Sequence, residues 1–365
     1  MRYHQSPKNI GQLTCLQTLP IFYVGLNEGY FIKELGPLKN LRGKINIMNL
    51  ERVEDEEEVR SVELKENEIF ELELCWQFYN YRKECNYDKD EKVLASLQPH
   101  PSLKSLRIKG YLGKKFSSWV GLSLLYHNLI QIYFIWCKKC EEVPTLGHLP
   151  CLRVLEMEGM EELRSIGSEF YNYSDGSYRN TTTLFLALRM LKLKDIYNLE
   201  EWKDAKELTS AGEVLTMFPS LEELTINRCP KLRYFPNSLH TCVSLQKLVV
   251  ERCLDLSSLP GVPSLIQHLE IKKKCGFKEL PDGLQFCTSL QFLKIKHCPN
   301  LTSILESLHT CVSLPKFVVY HCPNLRYLPS VPSVIRHLEI RGCGIDELPN
   351  GLEVLCRTYV NNDSK

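Results

Sequence analysis

The chain has 365 residues, of which 44% are hydrophobic and 24% charged, and its formal net charge is +1. That composition is ordinary for a folded protein and excludes disordered and collagen-like chains. The near-neutral balance selects no partner class by charge alone. No apolar run approaches the ~18 residues that cross a bilayer. Met1-Arg-Tyr-His-Gln-Ser-Pro-Lys lacks the apolar core of a secretory signal. A cytoplasmic or nucleo-cytoplasmic chain with no membrane span is expected.

One phrase recurs, Leu-x-x-Leu/Phe-x-Ile/Val-x-x-Cys-x-x-Leu-x-x-Phe/Leu-Pro, most cleanly at Leu221–Pro236, Leu245–Pro260 and Leu314–Pro329. A fixed phrase at such a period marks a leucine-rich repeat solenoid. The second inward residue of each repeat falls at Ile47, Leu74, Ile108, Phe134, Met157, Leu193, Ile226, Val250, Ile271, Ile295, Val319 and Ile340. A further unit is expected around Leu16–Val24, giving about 12–13 repeats in one domain over 1–365. The alternation within Leu-x-Ile has period two, so each repeat contributes a short strand. Parallel stacking alone lets every repeat keep the same phase. The fold class is therefore α/β: a horseshoe with a parallel β-sheet on its concave face, and loops, 3₁₀ turns and short helices on its convex face.

Along the chain, Glu51–Asn67 is acidic; Asp55 is placed to cap a helix whose Val59, with Val62 and Leu64, faces inward. Residues 79–90 and 167–183 are polar and aromatic and read as protruding loops. Between them, Tyr133, Ile135 and Trp136 form a candidate aromatic patch, exposed or covered by the later loop. Sixteen cysteines could indicate disulfides or zinc. Their phase argues otherwise, because Cys137, Cys229, Cys253, Cys298, Cys322 and Cys343 occupy the ninth position of the phrase. A small buried thiol suits that slot, where it bonds the backbone of the adjacent coil. Cys242, Cys287 and Cys311 share a second slot. Cys137-x-x-Cys140 has no second pair at zinc spacing, so no metal is expected.

In the last third, Cys242-Val-Ser-Leu matches Cys311-Val-Ser-Leu and His268-Leu-Glu-Ile matches His337-Leu-Glu-Ile, each offset by 69 residues. Residues 221–288 and 290–356 thus read as duplicated three-repeat blocks. After Cys356 the next Leu-x-Ile is replaced by Arg-Thr-Tyr-Val-Asn-Asn, so the strand series is expected to stop there.

Strand alternation turns the third, fifth, seventh and eighth positions toward the concave face or its rim. Those positions hold Lys192, Lys194, Arg228, Lys247, Arg252, Lys272, Lys273, Lys294, Lys296, Lys316 and Arg341, with Phe292 and Tyr320, and fewer acids. A basic stripe is expected there: either a docking face for an acidic protein partner or charge that keeps the sheet soluble. Nucleic acid is not an expected partner, since no binding motif accompanies the charge. No catalytic set emerges: the histidines recur at matched slots, and neither G-x-S-x-G nor H-E-x-x-H occurs.

Several stretches go beyond the generic repeat. They include Ile10-Gly-Gln-Leu-Thr-Cys-Leu-Gln-Thr-Leu-Pro, Glu34-Leu-Gly-Pro-Leu-Lys-Asn-Leu-Arg-Gly-Lys-Ile-Asn-Ile, and Leu97-Gln-Pro-His-Pro-Ser-Leu-Lys-Ser-Leu with Phe116-Ser-Ser-Trp119. Leu149-Pro-Cys-Leu with Ile166-Gly-Ser-Glu-Phe170-Tyr, and Phe218-Pro-Ser-Leu with Arg228-Cys-Pro-Lys-Leu, complete the set. In wording and order the chain resembles the repeat region of plant nucleotide-binding leucine-rich-repeat immune receptors of the coiled-coil class. That resemblance implies recognition of a pathogen effector, or of a guarded host protein the effector alters. It also implies restraint of a nucleotide-binding domain that carries ADP or ATP. No G-x-x-x-x-G-K-[ST] loop occurs, so the chain itself is expected to bind no cofactor and to lack that domain and the coiled coil. A stand-alone repeat adaptor, such as a ubiquitin-ligase substrate receptor, and an enzyme-inhibiting repeat protein are the alternatives.

Overall fold

The computed structural model describes residues 5–77, 86–171, 183–205, 216–257, 263–276, 278–280, 284–304, 306–328, 330–345 and 359–361. Two units are distinguished: Met1–Leu163 with Glu169–Tyr178, and Arg164–Ser168 with Arg179–Lys365.

In the first unit the strands are β1 (Ile21–Tyr23), β2 (Arg42–Met48), β3 (Glu68–Cys75), β4 (Ser105–Lys109), β5 (Gln131–Ile135) and β6 (Val154–Glu158). Each pairs in parallel with the next. In the second unit the strands of the repeat series are β7 (Met190–Lys194), β8 (Glu223–Asn227), β9 (Lys247–Glu251), β10 (His268–Lys272), β11 (Phe292–Lys296), β12 (Lys316–Tyr320), β13 (His337–Arg341) and β14 (Tyr359–Asn361), beside two short parallel pairs, Ser165–Ile166 with Glu201–Trp202 and Thr183–Leu184 with Thr216–Met217. The series too pairs in parallel in chain order.

The register is the repeat phrase made physical. Phe22, Ile47, Leu74, Ile108, Phe134 and Met157 face one another in sequence down the first unit. Leu193, Ile226, Val250, Ile271, Ile295, Val319 and Ile340 do so down the second. All are buried. A one-residue slip would turn every one of them out of the core, so the apolar phase enforces the register. The array is a leucine-rich repeat solenoid. The strand series does not stop where the sequence suggested: β14 pairs with β13, setting Val360 against Ile340. Backbone pairing continues there because it needs extended backbone rather than the Leu-x-Ile side chains.

The eighth position closes each strand. Gly110, Trp136, Gly159, Asp195, Arg228, Arg252, Lys273, His297, His321 and Gly342 all adopt left-handed backbone there. That twist turns the chain off the sheet while its N–H still bonds the next strand, as from Arg228 to Glu251 O (2.8 Å) and from His297 to Tyr320 O (2.8 Å). The conformation costs a non-glycine residue roughly 1–2 kcal/mol.

The cysteine slots carry one job each. Cys137, Cys253 and Cys343 donate to carbonyls of the preceding coil, Ile108, Ile226 and Val319, at 3.6–4.0 Å. Cys229 reaches Leu193 O at 4.0 Å. Cys298 bonds Lys296 O at 3.4 Å and Cys322 bonds Tyr320 O at 3.4 Å. Cys275 joins this row although the ninth position of its repeat is Lys274. One inserted residue displaces it, and Lys273 and Lys274 both turn left-handed to absorb the extra length. Its thiol reaches Val250 O at 3.8 Å. In the second slot, Cys242, Cys287 and Cys311 bond Met217, Pro263 and Leu284 carbonyls.

On the other side of the coils, Asp55 caps helix α1 (Glu56–Arg60), its carboxylate accepting from the Glu57 N–H, and Val59, Val62 and Leu64 are buried. Residues 79–85 of the first expected loop lie outside the described residues. The rest of that segment is not loop: helix α2 (Tyr87–Ser96) begins there, capped by Asn86, with Asp90 turned into the core. The interior faces Val93 and Leu94 supply the helical period that the polar start of this segment masks. In the second expected loop Phe170 and Tyr171 are buried, and 172–182 lie outside the described residues. Among the described residues no helix is long and apolar enough to cross a membrane.

Candidate functional site

The outward face of β7–β13 carries the predicted stripe. Parallel pairing stacks the third positions as Met190, Glu223, Lys247, His268, Phe292, Lys316 and His337. The seventh positions run Lys194, Asn227, Glu251, Lys272, Lys296, Tyr320 and Arg341. The fifth run Lys192, Thr225, Val249, Glu270, Lys294, Val318 and Glu339. Arg228, Arg252 and Lys273 sit one step on, in the left-handed slot at the strand ends.

The stripe is less uniformly cationic than the sequence implied, because its acids are distributed to meet its bases. Lys247 pairs with Glu223 (3.1 Å), Lys272 with Glu270, Lys273 with Glu251 (2.8 Å), Arg228 with Asp195 (3.0 Å) and Arg341 with Glu339 (2.7 Å). His268 also reaches Glu270 at 2.8 Å. In each pair the carboxylate is largely shielded and the cation is the more open member.

Over β10–β13 the cations gather on aromatic rings. Lys296 Nζ lies 4.1 Å from the Tyr320 centroid, and the Arg341 guanidinium 5.7 Å from it. Lys316 and Lys294 approach the Phe292 ring at 5.4 and 5.9 Å, and His268 stacks on the same ring at 4.5 Å. Val318, outward by phase on the same strand as Tyr320, is buried. Burial and a hydrogen bond to Glu339 push the Tyr320 phenol up to about 12, so it is a neutral donor at physiological pH. The same bond, with Arg341 and His337, holds the Glu339 carboxyl below its usual range. Burial lowers Lys272, and the neighbouring Lys294 lowers it further. The cluster therefore joins rigid aromatic area to a positive field, the combination that anchors protein contacts.

In the first unit Tyr133, Ile135 and Trp136 are half-buried rather than fully open. The Arg107 guanidinium covers Tyr133 at 4.3 Å, and Trp136 lies on Gly159 with Lys138 5.7 Å from its ring. The two rings, Tyr133 and Trp136, are thus each already met by a cation of the chain itself.

Cys137 and Cys140 are buried thiols. Cys140 donates to Gly113 O at 3.2 Å, and burial pushes it well up. Among the described residues no three His, Cys, Asp or Glu side chains converge to hold a metal ion.

Residues 32–160 match the family of R13L1/DRL21 leucine-rich repeats. The chain is 32% identical over 273 residues to the disease resistance protein RGA2 of Solanum bulbocastanum, covering 68% of this chain and 27% of that protein. It is 31% identical over 266 residues to the disease resistance RPP13-like protein 1 of Arabidopsis thaliana, covering 70% of this chain and 24% of that protein. The chain thus spans about a quarter of the length of the curated relatives it matches. Among solved structures, an internalin of Listeria monocytogenes aligns over 97% of this chain and 84% of that chain, at 12% identity and a TM-score of 0.42.

Proposed function

The chain being a leucine-rich repeat region of the plant disease resistance kind, we propose that it acts by binding protein, not by catalysis. Its recognition face is the outward side of β10–β13. The observation that carries this reading is the Phe292–Tyr320 cluster, where Lys294, Lys296, Lys316 and Arg341 lie against two aromatic rings. Those rings offer large contact area at small entropic cost, while the cations steer an acidic surface toward them. The ligand of this reading is a pathogen effector, or a host protein that the effector alters, met in the cytoplasm. The same face is suited to hold an acidic surface of a nucleotide-binding domain at rest, so that ligand and restraint compete for one site.

The test uses Lys296→Glu with Lys316→Glu, two cations with no carboxylate in salt-bridge reach among the described residues. The purified chain and this variant are compared for retention of defined effectors and of the nucleotide-binding domain of a matching receptor. The reading requires partners that the wild type holds at physiological salt and that both the variant and high salt release. Partners held equally by both chains would move recognition elsewhere.

A further inference from the structure

At the strand-end edge of the second unit lies a cleft of about 700 Å³, lined by Tyr197, Arg228, Pro230, Arg252, Leu254, Lys273, Lys274 and His297. It belongs to the left-handed eighth positions, not to the strand face discussed above. Four of its lining residues are permanent cations, and no carboxylate is among them. Two carboxylates stand just behind. Asp195 accepts from Arg228 (3.0 Å) and from the Tyr197 hydroxyl (2.9 Å), and Glu251 pairs with Lys273 (2.8 Å). Among the described residues no carboxylate comes within salt-bridge reach of Arg252 or Lys274. Two of the four positive charges are therefore balanced from within, and two are not.

The protein places glycine in this slot where a Cβ would clash, as at Gly110, Gly159 and Gly342, and accepts the left-handed cost at Trp136, Asp195 and His321 outside the cleft. In the cleft it accepts the left-handed cost at Arg228, Arg252, Lys273, Lys274 and His297. The adjoining wall is apolar: the Leu254 side chain is 50% exposed, and Pro230 and the Tyr197 ring flank it.

We propose that this cleft binds a phosphate monoester dianion carried on an apolar or aromatic body. Two uncompensated positive charges match a dianion and exceed what a single carboxylate would neutralise. The forked guanidinium of Arg252, with Arg228 one coil away, suits tetrahedral oxygens, and Lys274 adds a point charge. Tyr197, Pro230 and Leu254 receive the body that bears the phosphate. The same chemistry arises from a phosphorylated side chain of a partner protein and from a free phosphorylated metabolite.

Calorimetric titration with phenyl phosphate, benzoate and inorganic phosphate tests this on the full chain. Phenyl phosphate is expected to bind at least about tenfold more tightly than either other probe, since each lacks one half of the match. Arg252→Glu with Lys274→Glu is expected to weaken it at least about tenfold, and Lys65→Glu, on the first unit, to leave it unchanged. Arg252→Lys with Lys274→Arg, which keeps the charge and the fold, should retain most of the affinity. A short phosphotyrosine peptide then separates the sources: affinity kept or raised assigns a partner protein, and affinity lost assigns a small metabolite. Equal binding of benzoate and phenyl phosphate, or undiminished binding by the charge-reversed variant with native circular dichroism, would overturn the proposal.

Discussion

The imidazole rings of His297 and His321 stack across neighbouring coils, centroids 4.7 Å apart and planes 10° from parallel. Burial, the second ring, and the cations Lys296 and Lys273 hold His297 below the usual histidine range. Burial and Lys247, Lys272 and Lys294 do the same to His268. In each case the unfolded chain takes up the proton first as pH falls. Stability is therefore fully present above about pH 6.5 and declines as pH drops toward the lowered folded values. Denaturant midpoints at pH 7.5 and 5.5 should differ, and His297→Gln should shrink the difference. An unchanged difference would remove the stack from the account.

Trp136 packs on a position that admits no side chain. A Cβ on Gly159 would stand 2.4 Å from the Trp136 ring, and Gly159 has φ of +69°. Gly159→Val should cost about 2–4 kcal/mol through clash and backbone strain together. It should also release the indole toward water, shifting its emission to the red. A variant with native stability and emission would mean that this aromatic strip is not held as described.

The thiols should divide sharply in reactivity. Cys15 and Cys151 are exposed, whereas Cys229, Cys242 and Cys287 are buried, and burial pushes each of these three up to about 12. Under native conditions, alkylation read by peptide mass spectrometry should mark the exposed pair about a hundredfold or more before the buried ones, which must await an opening costing several kcal/mol. Early labelling of Cys229 would show that its coil opens locally.

Two neighbouring lysines should respond oppositely to charge reversal. Lys272 pairs with Glu270, so Lys272→Glu sets like charges together. Lys296 faces Lys272 across the strand pair, so Lys296→Glu exchanges a repulsion for an attraction while losing its contact with Tyr320. Lys272→Glu should be about 1 kcal/mol less stable than Lys296→Glu. Equal stabilities would mean that the pairs seen here are not maintained in solution.

The inward residues were readable because burial acts on each repeat alike: one phrase predicts Ile47 and Ile340 by the same rule. The cysteine row was readable for the same reason until Cys275, where one inserted residue breaks the count and only the paired left-handed turns at Lys273 and Lys274 restore it. The stripe was legible as residue types but not as charge. Whether Glu251 serves Lys273 or faces a partner depends on lateral distances between strands, which the spacing along the chain does not encode. The cleft of Arg228, Arg252 and Lys274 was hidden for a related reason. Arg228 and Arg252 were placed by phase on the face or its rim, and Lys274, beside the inserted residue, was not placed at all.

The recurrence of His268-Leu-Glu-Ile at His337-Leu-Glu-Ile has a metric consequence. In each copy the histidine and a cation at the seventh position, Lys272 or Arg341, flank one glutamate. The two triads sit three hydrogen-bonded strand steps apart, about 14 Å at the usual interstrand spacing. A rigid body that fitted one triad would meet its twin at a set pitch, as against the marks of a ruler. Selection there would turn on the distance between features of a visitor, even where the features themselves are commonplace.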